Sequence, residues 1–233
     1  EVKKIAAGKD SDREKAQAVI EFVQENFRYV SMSFGYNRYE PHPSDEVFAN
    51  KYGDCKDQVL VAMAMLKEVG IKSYPALYRD EEDGNPEDKL PKPNYFDHVI
   101  LALQLGDKIH YTDVLRKGYR IGETPLGIQG GYVFVINEKG GAFSQLPISD
   151  DTENYSSQEE KIQLRQDGSA MIEAISEWPK DFSIETREKF KRMTEKEKTE
   201  FFEVLDGRYN VSGNVIERKW EGIESDYGSV KSF

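Results

Sequence analysis

Cysteine is almost absent from this chain. A single thiol, Cys55, stands among 233 residues, so no internal disulfide can form and the fold must rest on its hydrophobic core. Basic charge is also short: 32 Lys and Arg stand against 43 Asp and Glu, a formal charge of −11. Nucleic acid and anionic membrane surfaces call for clustered positive charge, and the sequence holds no such cluster, so neither is expected as a main partner. No apolar run approaches the roughly 18–20 residues of a transmembrane helix, and no transmembrane segment is expected. Histidine is limited to three residues, which leaves His42, His98 and His110 as the available imidazoles. Internal repeats and low-complexity tracts are missing too. The chain opens at Glu1 with no Met, charged n-region or apolar signal core, as expected of an excised or mature segment.

What the chain does have is patterning. Ser11-Asp12-Arg13-Glu14 fits a Ser-x-x-Glu capping box, and Ala16, Val19, Ile20, Val23 and Phe27 follow at helical spacing, predicting a helix from about Asp12 to Phe27. A tyrosine-rich loop from Phe34 to Tyr39 runs on to Pro41 and Pro43, and Ser44–Asn50 reads as a short helix. From Asp54 to Val69 apolar residues cover most of the helical surface, which predicts a central helix closed by Gly70 at C′. Strands are predicted over Ser73–Tyr78, Phe96–Leu105, Lys108–Val114 and Tyr132–Ile136, with Gly106-Asp107 as a two-residue hairpin turn. The acidic, polar stretch Ser149 to Asn154 marks a domain boundary. Beyond it, Lys161–Leu164 and Ala170–Glu177 flank the turn Gln166-Asp167-Gly168-Ser169. Ser183–Leu205 reads as one charged helix holding a second capping box, Thr194 to Glu197, and Val215–Trp220 as a closing strand. The fold class is α+β: a core over residues 1–150 and a smaller β-rich domain over 151–233, which its polar ending marks as incomplete.

Cys55 opens the central helix, in Tyr52-Gly53-Asp54-Cys55-Lys56-Asp57-Gln58. Cysteine attacks as the thiolate, and an ordinary thiol is only a few per cent ionised at neutral pH. The helix N-terminus, the Lys56 cation and a paired imidazolium all favour the thiolate. Asp54 opposes it and is expected to point away and cap the helix. Taken alone, Cys55 reads first as a small buried hydrophobe, the usual place of a free cysteine. The predicted hairpin shifts that balance. A two-residue turn at Gly106-Asp107 sets Asp113 opposite Ile100, and residues 98 and 100 point to one side of their strand. His98 and Asp113 become diagonal neighbours, roughly 7–8 Å apart between Cα atoms, within reach of a side-chain hydrogen bond. A three-residue turn would reverse that parity.

The remaining candidates read as structural. His110 has the opposite parity and is expected on the other face, His42 sits in a loop between two prolines, and Asp97 points away from His98 as a salt-bridge or turn ligand. The acidic run Asp80 to Asp88 lacks the ligand spacing of a calcium loop and reads as a solvated turn. The Glu- and Lys-rich stretch Thr186 to Lys198 reads as an exposed helix face. No metal and no cofactor is expected.

The segment Val47 to Asp57, VFANKYGDCKD, resembles the nucleophile motif of the transglutaminase-like superfamily. More narrowly, it resembles bacterial members that carry this core between two β-rich domains of unknown function. Phe96-Asp97-His98-Val99-Ile100 is similar to their histidine motif and Tyr111-Thr112-Asp113 to their aspartate motif. Leu126 to Gly130, followed by Tyr132 to Val135, is similar to the stretch after the core. The resemblance covers about Lys15 to Leu146, and the C-terminal part only by order and character. It implies a papain-like fold, with the cysteine helix packed on an antiparallel sheet that carries the other two residues. It implies Cys55 as nucleophile, His98 as general base and later acid, Asp113 as the orienting residue, and a location at the bacterial cell envelope or periplasm. Where the family pattern has a more polar Pro-Thr-like pair after the aspartate, this chain has Val114-Leu115. For the oxyanion, the Cys55 backbone N–H is one donor and the side chain of Tyr36 or Asn37 is a candidate second, with loop packing the alternative role of each.

These readings lead to a cysteine-dependent enzyme that hydrolyses a peptide or other amide bond through a thioester on Cys55, acting on peptide, protein or glycopeptide amides. Two rivals stay open: a protein-cross-linking transglutaminase, and a non-catalytic scaffold or binding module that keeps the fold. An aromatic-lined cleft at Tyr36, Tyr39 and Tyr95 would favour a glycosylated asparagine amide, and a narrow apolar groove a peptide.

Overall fold

A computed structural model describes residues 1–31, 35–88, 92–150, 152, 154–206, 217, 219–224 and 230–232. The chain divides into two compact units, Glu1–Ile148 and Ser149–Phe233. The first begins with a single turn, α1 (Val2–Ile5), and continues into α2 (Asp12–Asn26). Ser11 Oγ accepts the Glu14 N–H at 3.2 Å and Glu14 accepts the Ser11 N–H at 2.9 Å, so the capping box satisfies donors that the helix cannot. Strand β1 (Arg28–Tyr29), helix α3 (Ser44–Asn50) and strand β2 (Tyr52–Gly53) follow, β1 and β2 pairing in parallel. That pairing fixes the chain immediately before α4 (Cys55–Glu68).

Helix α4 is closed at both ends by the residues that predict it. Asp54 Oδ1 accepts the Asp57 N–H at 3.3 Å and Asp57 Oδ2 accepts the Asp54 N–H at 3.1 Å. At the other end Gly70 takes a φ of +78°. There the Gly70 N–H meets the Lys67 carbonyl at 3.1 Å and the Ile71 N–H meets that of Leu66 at 3.0 Å, a Schellman turn that favours glycine at C′.

Strands β3 (Ser73–Arg79), β4 (His98–Leu105), β5 (Lys108–Thr112), β6 (Tyr132–Val135) and β7 (Ala142–Gln145) form an antiparallel sheet in the order β5-β4-β3-β6-β7. Alternate residues of β4 enter two cores. Leu101 and Leu103 join Val19, Ile20, Val59 and Leu66 from the helices, whereas Ile100 and Ala102 join Ala76, Val133 and Leu146. Burial on both faces is why this strand reads as a nearly continuous apolar run. Across Gly106-Asp107, Leu105 opposes Lys108 and Leu101 opposes Thr112, the register expected from a two-residue turn. The strand limits are narrower than expected: β4 starts at His98 rather than Phe96, and β5 stops at Thr112 rather than Val114. Asp113 leaves the ladder to form a turn, its carbonyl accepting the Arg116 N–H at 3.1 Å.

In the second unit β8 (Ser157–Leu164) and β9 (Ala170–Glu177) form the expected hairpin, β8 starting four residues early. Helices α5 (Lys180–Phe190) and α6 (Glu195–Asp206) follow. Short strands β10 (Trp220–Glu221) and β11 (Lys231–Ser232) complete a sheet in the order β10-β11-β9-β8. The single helix expected over Ser183–Leu205 is two. The capping box at Thr194, whose N–H and hydroxyl donate to Glu197 at 2.7 and 2.8 Å, starts a new helix rather than sitting inside one. Half of the closing strand expected over Val215–Trp220 lies outside the described residues, and of the rest only Trp220 is in a strand.

Candidate active site

Cys55 is the first residue of α4 and is half-buried. The approach to it depends on Gly53, where a Cβ would stand 2.6 Å from Asp57 Cβ and 3.2 Å from Val47 Cγ1. Only a residue without a side chain lets the strand pass this close to the first helical turn. His98 opens β4 and Asp113 follows β5, and the hairpin brings them together: His98 Nε2 lies 3.0 Å from Asp113 Oδ2. Asp113 is buried. Its Oδ1 accepts the Leu115 N–H at 2.9 Å, and Arg116 Nε stands 4.0 Å from Oδ2. Gln24 of α2 donates to the Asp113 and Arg116 carbonyls at 3.4 and 2.8 Å, tying this turn to the helical layer. The Val114-Leu115 pair has a local reason, because Val114 fills the helix-side core while Leu115 lends its N–H to the carboxylate.

Burial of the His98 ring favours the neutral form. Hydrogen bonds to Asp113 and to the Cys55 thiol, with the negative charge each can carry, outweigh that and raise His98 from 6.5 to about 10. With Nε2 committed to Asp113, Nδ1 is the ring nitrogen left for the thiol. Tyr78 lies opposite His98 across the β3–β4 pair and packs edge-on against the imidazole, 6.3 Å between centroids. Burial first, then the Asp80 carboxylate, pushes the Tyr78 phenol up to about 12, so it stays protonated and donates to Asp80 at 3.3 Å.

Lys56 does not act as a free cation toward the thiol. Its ammonium pairs with the buried Asp54 carboxylate, which would otherwise lie inside with its charge uncompensated. Asp54 does cap the helix. His42 is more than a loop residue: its N–H donates to Asp57 Oδ1 at 2.8 Å and its Nδ1 lies 3.1 Å from Asp57 Oδ2. Asp57 is fully buried. A signal for this contact existed in the Asp54-x-x-Asp57 capping spacing, since a carboxylate buried at a helix start needs donors for both oxygens. Asn37 Nδ2 lies 3.1 Å from His42 Nε2, and the Tyr36 side chain lies outside the described residues.

His110 lies beside Arg13, whose guanidinium approaches Nε2 to 3.3 Å; burial first, and then this positive charge, holds its pKa below the ordinary value. The acidic loop is organised around an arginine. The buried Arg79 guanidinium donates to the carbonyls of Gly84, Asp83 and Tyr95 at 2.9, 2.6 and 2.9 Å. Among the described residues no group of three or more His, Cys, Asp or Glu side chains is placed to hold a metal, and no helix is long and apolar enough to cross a membrane.

No curated protein matches this chain. Among solved structures, it is similar to a proposed protease from Parabacteroides distasonis, at 14% identity and a TM-score of 0.47 over 63% of this chain and 26% of that one. It is similar to a proposed cysteine protease from Cytophaga hutchinsonii, at 14% identity and a TM-score of 0.41 over 75% of this chain and 49% of that one. A TGase aligns at 16% identity and a TM-score of 0.36 over 53% of this chain and 31% of that one. The chain thus spans less than half the length of each. A family match covers residues 2–89, which takes in Cys55 and Asp57 and stops short of His98 and Asp113. The family matched is the transglutaminase-like superfamily, and the match includes the segment that delivers the half-buried thiol to the start of α4.

Proposed function

We propose that the chain is a cysteine-dependent acyl-transfer enzyme that hydrolyses amide bonds in peptides, proteins or glycopeptides. The observation that carries this reading is the 3.0 Å contact between Asp113 and His98, the ring whose pKa the Cys55 thiol also helps to raise. Cys55 attacks the amide carbonyl as a thiolate, and negative charge passes to the carbonyl oxygen. The His98 imidazolium gives its proton to the leaving nitrogen, the C–N bond breaks, and a thioester remains on Cys55. Water then enters, neutral His98 takes one of its protons, the new C–O bond forms, and the sulfur leaves as thiolate. Asp113 holds the ring in one tautomer and stabilises the imidazolium. The Cys55 N–H is a first-turn donor that the helix cannot satisfy, free to meet the oxyanion, and Tyr36 or Asn37 supplies the second donor. A location at the bacterial envelope belongs to the same proposal and rests on the resemblance alone.

Iodoacetamide alkylation of Cys55 and hydrolysis of fluorogenic peptide amides test this in the wild type, Cys55→Ala and His98→Ala. At neutral pH alkylation is expected to fall at least about tenfold in His98→Ala, and hydrolysis to vanish in Cys55→Ala. Equal alkylation in wild type and His98→Ala would leave the scaffold reading. Products that carry an added amine instead of water would move the assignment to cross-linking.

A further inference from the structure

A helical capping box asks one thing of the residue at its third position: one oxygen for the cap N–H. Asp57 gives Oδ2 to the Asp54 N–H, yet its carboxylate is fully buried and takes further donors from a distant loop. Those donors are the His42 N–H on Oδ1 at 2.8 Å and His42 Nδ1, 3.1 Å from Oδ2. His42 therefore fastens the loop to the helical turn that presents Cys55. Pro41 and Pro43 flank it and fix their own φ angles, which narrows the conformations the loop can adopt.

The chemistry of the ring carries the chain one step further. A carboxylate oxygen accepts, so the ring proton facing Asp57 sits on Nδ1, and in that tautomer Nε2 is an acceptor. Asn37 meets that nitrogen with its amide nitrogen at 3.1 Å. One amide proton points at His42, and the second is left to donate elsewhere. We infer that His42 is a positioning residue that orients the Asn37 carboxamide to donate, with the Cys55 N–H, to the substrate carbonyl oxygen. This rests on the acyl-transfer reading above. It selects Asn37 over Tyr36 as the second oxyanion donor and gives buried Asp57 a role beyond capping.

The test compares two reactions of one thiol. Alkylation by iodoacetamide builds no oxyanion, whereas acylation by p-nitrophenyl acetate does, and its burst of p-nitrophenolate reports that step. His42→Asn keeps a donor near the Nδ1 position for Asp57 but has nothing at Nε2 for Asn37, and thermal melts confirm that it folds. In Asn37→Ala and His42→Asn the acylation rate is expected to fall on the order of 10²-fold, with alkylation within about twofold of wild type. The double variant should be no slower than Asn37→Ala, because the two residues act through one donor. Wild-type acylation in Asn37→Ala would overturn the inference, and so would additive losses in the double variant. A His42→Asn variant that loses alkylation and acylation alike would reduce His42 to a structural support. A wild type that is alkylated in a His98-dependent way but shows no burst would overturn the acyl-transfer reading, and this inference with it.

Discussion

The two long hairpins of this chain share a design and differ in what their register must protect. In β4–β5 the pairs run from Leu105 with Lys108 to Leu101 with Thr112, and in β8–β9 from Leu164 with Ala170 to Ser157 with Glu177. Ile100, Leu101, Ala102 and Leu103 are fully buried, two toward each face. Every residue of β8 is exposed, Leu164 at 80% and Ile162 at 55%. A slip of one residue in the first hairpin exchanges two buried faces and carries Asp113 away from His98. The same slip in the second exchanges sets of residues that β8 already shows to solvent, so packing specifies it weakly. The candidate chemistry sits where packing enforces register, and two-sided burial of β4 is what lets His98 on that strand and Asp113 just past β5 hold a 3.0 Å contact.

The strongest way to break that contrast is to insert one glycine between Gly106 and Asp107 and, separately, one between Asp167 and Gly168. The first insertion is expected to cost about 10⁴-fold in acyl turnover, the scale seen when a catalytic histidine loses its orienting carboxylate. The second should leave turnover unchanged within about twofold. A full p-nitrophenyl acetate burst in the first variant would show that register is not what joins His98 to Asp113. Next in size, Leu101→Ala should destabilise by about 2–5 kcal/mol, whereas Leu164→Ala should stay within about 0.5 kcal/mol. Urea melts measure both, and equal losses would refute the packing argument. Gly53→Ala should cost about 1–3 kcal/mol, as overpacking does, because the new methyl meets Asp57 Cβ at 2.6 Å. Its alkylation rate should fall as well, since moving Asp57 disturbs the start of α4.

What could be read in advance follows from how local each determinant is. The His98–Asp113 contact was legible because a two-residue turn and a period of two fix which side chains share a face. Both ends of α4 were legible for the same reason, Asp54 and Gly70 acting through neighbours within a few residues. The His42–Asp57 contact joins an irregular loop to a helix, and no periodicity links those positions. Lys56 misled because its charge was visible but its partner was not: Asp54 takes the ammonium once the cap carboxylate is buried. The break between α5 and α6 was visible as a capping box at Thr194, yet a capping box in a charged stretch tells a helix start from a helix interior only when the chain before it turns.

The gentlest probe of the contrast is pH, because the hairpins carry groups shifted in opposite directions. His98 is raised from 6.5 to about 10, burial opposing and its bonds to Asp113 and Cys55 prevailing. Between those values the unfolded chain releases a proton that the folded chain keeps, so stability falls as pH rises. The contribution is complete below about 6.5, the ordinary histidine value, and is gone once the pH has passed through the folded value. Asp167 in the β8–β9 turn is lowered by the hydroxyl and N–H of Ser169. Its contribution is present above the ordinary carboxylate range and is lost only as pH falls through its folded value, well away from the alkaline window. The melting temperature of the wild type should therefore exceed that of His98→Gln by a margin that shrinks between pH 6.5 and 10. Over the same interval the margin over Asp167→Asn should stay flat. A margin for His98→Gln that holds steady to pH 10 would mean that the ring is neutral in the fold. The Asp113 contact would then be an ordinary hydrogen bond, and the first hairpin would hold its register without holding a charge.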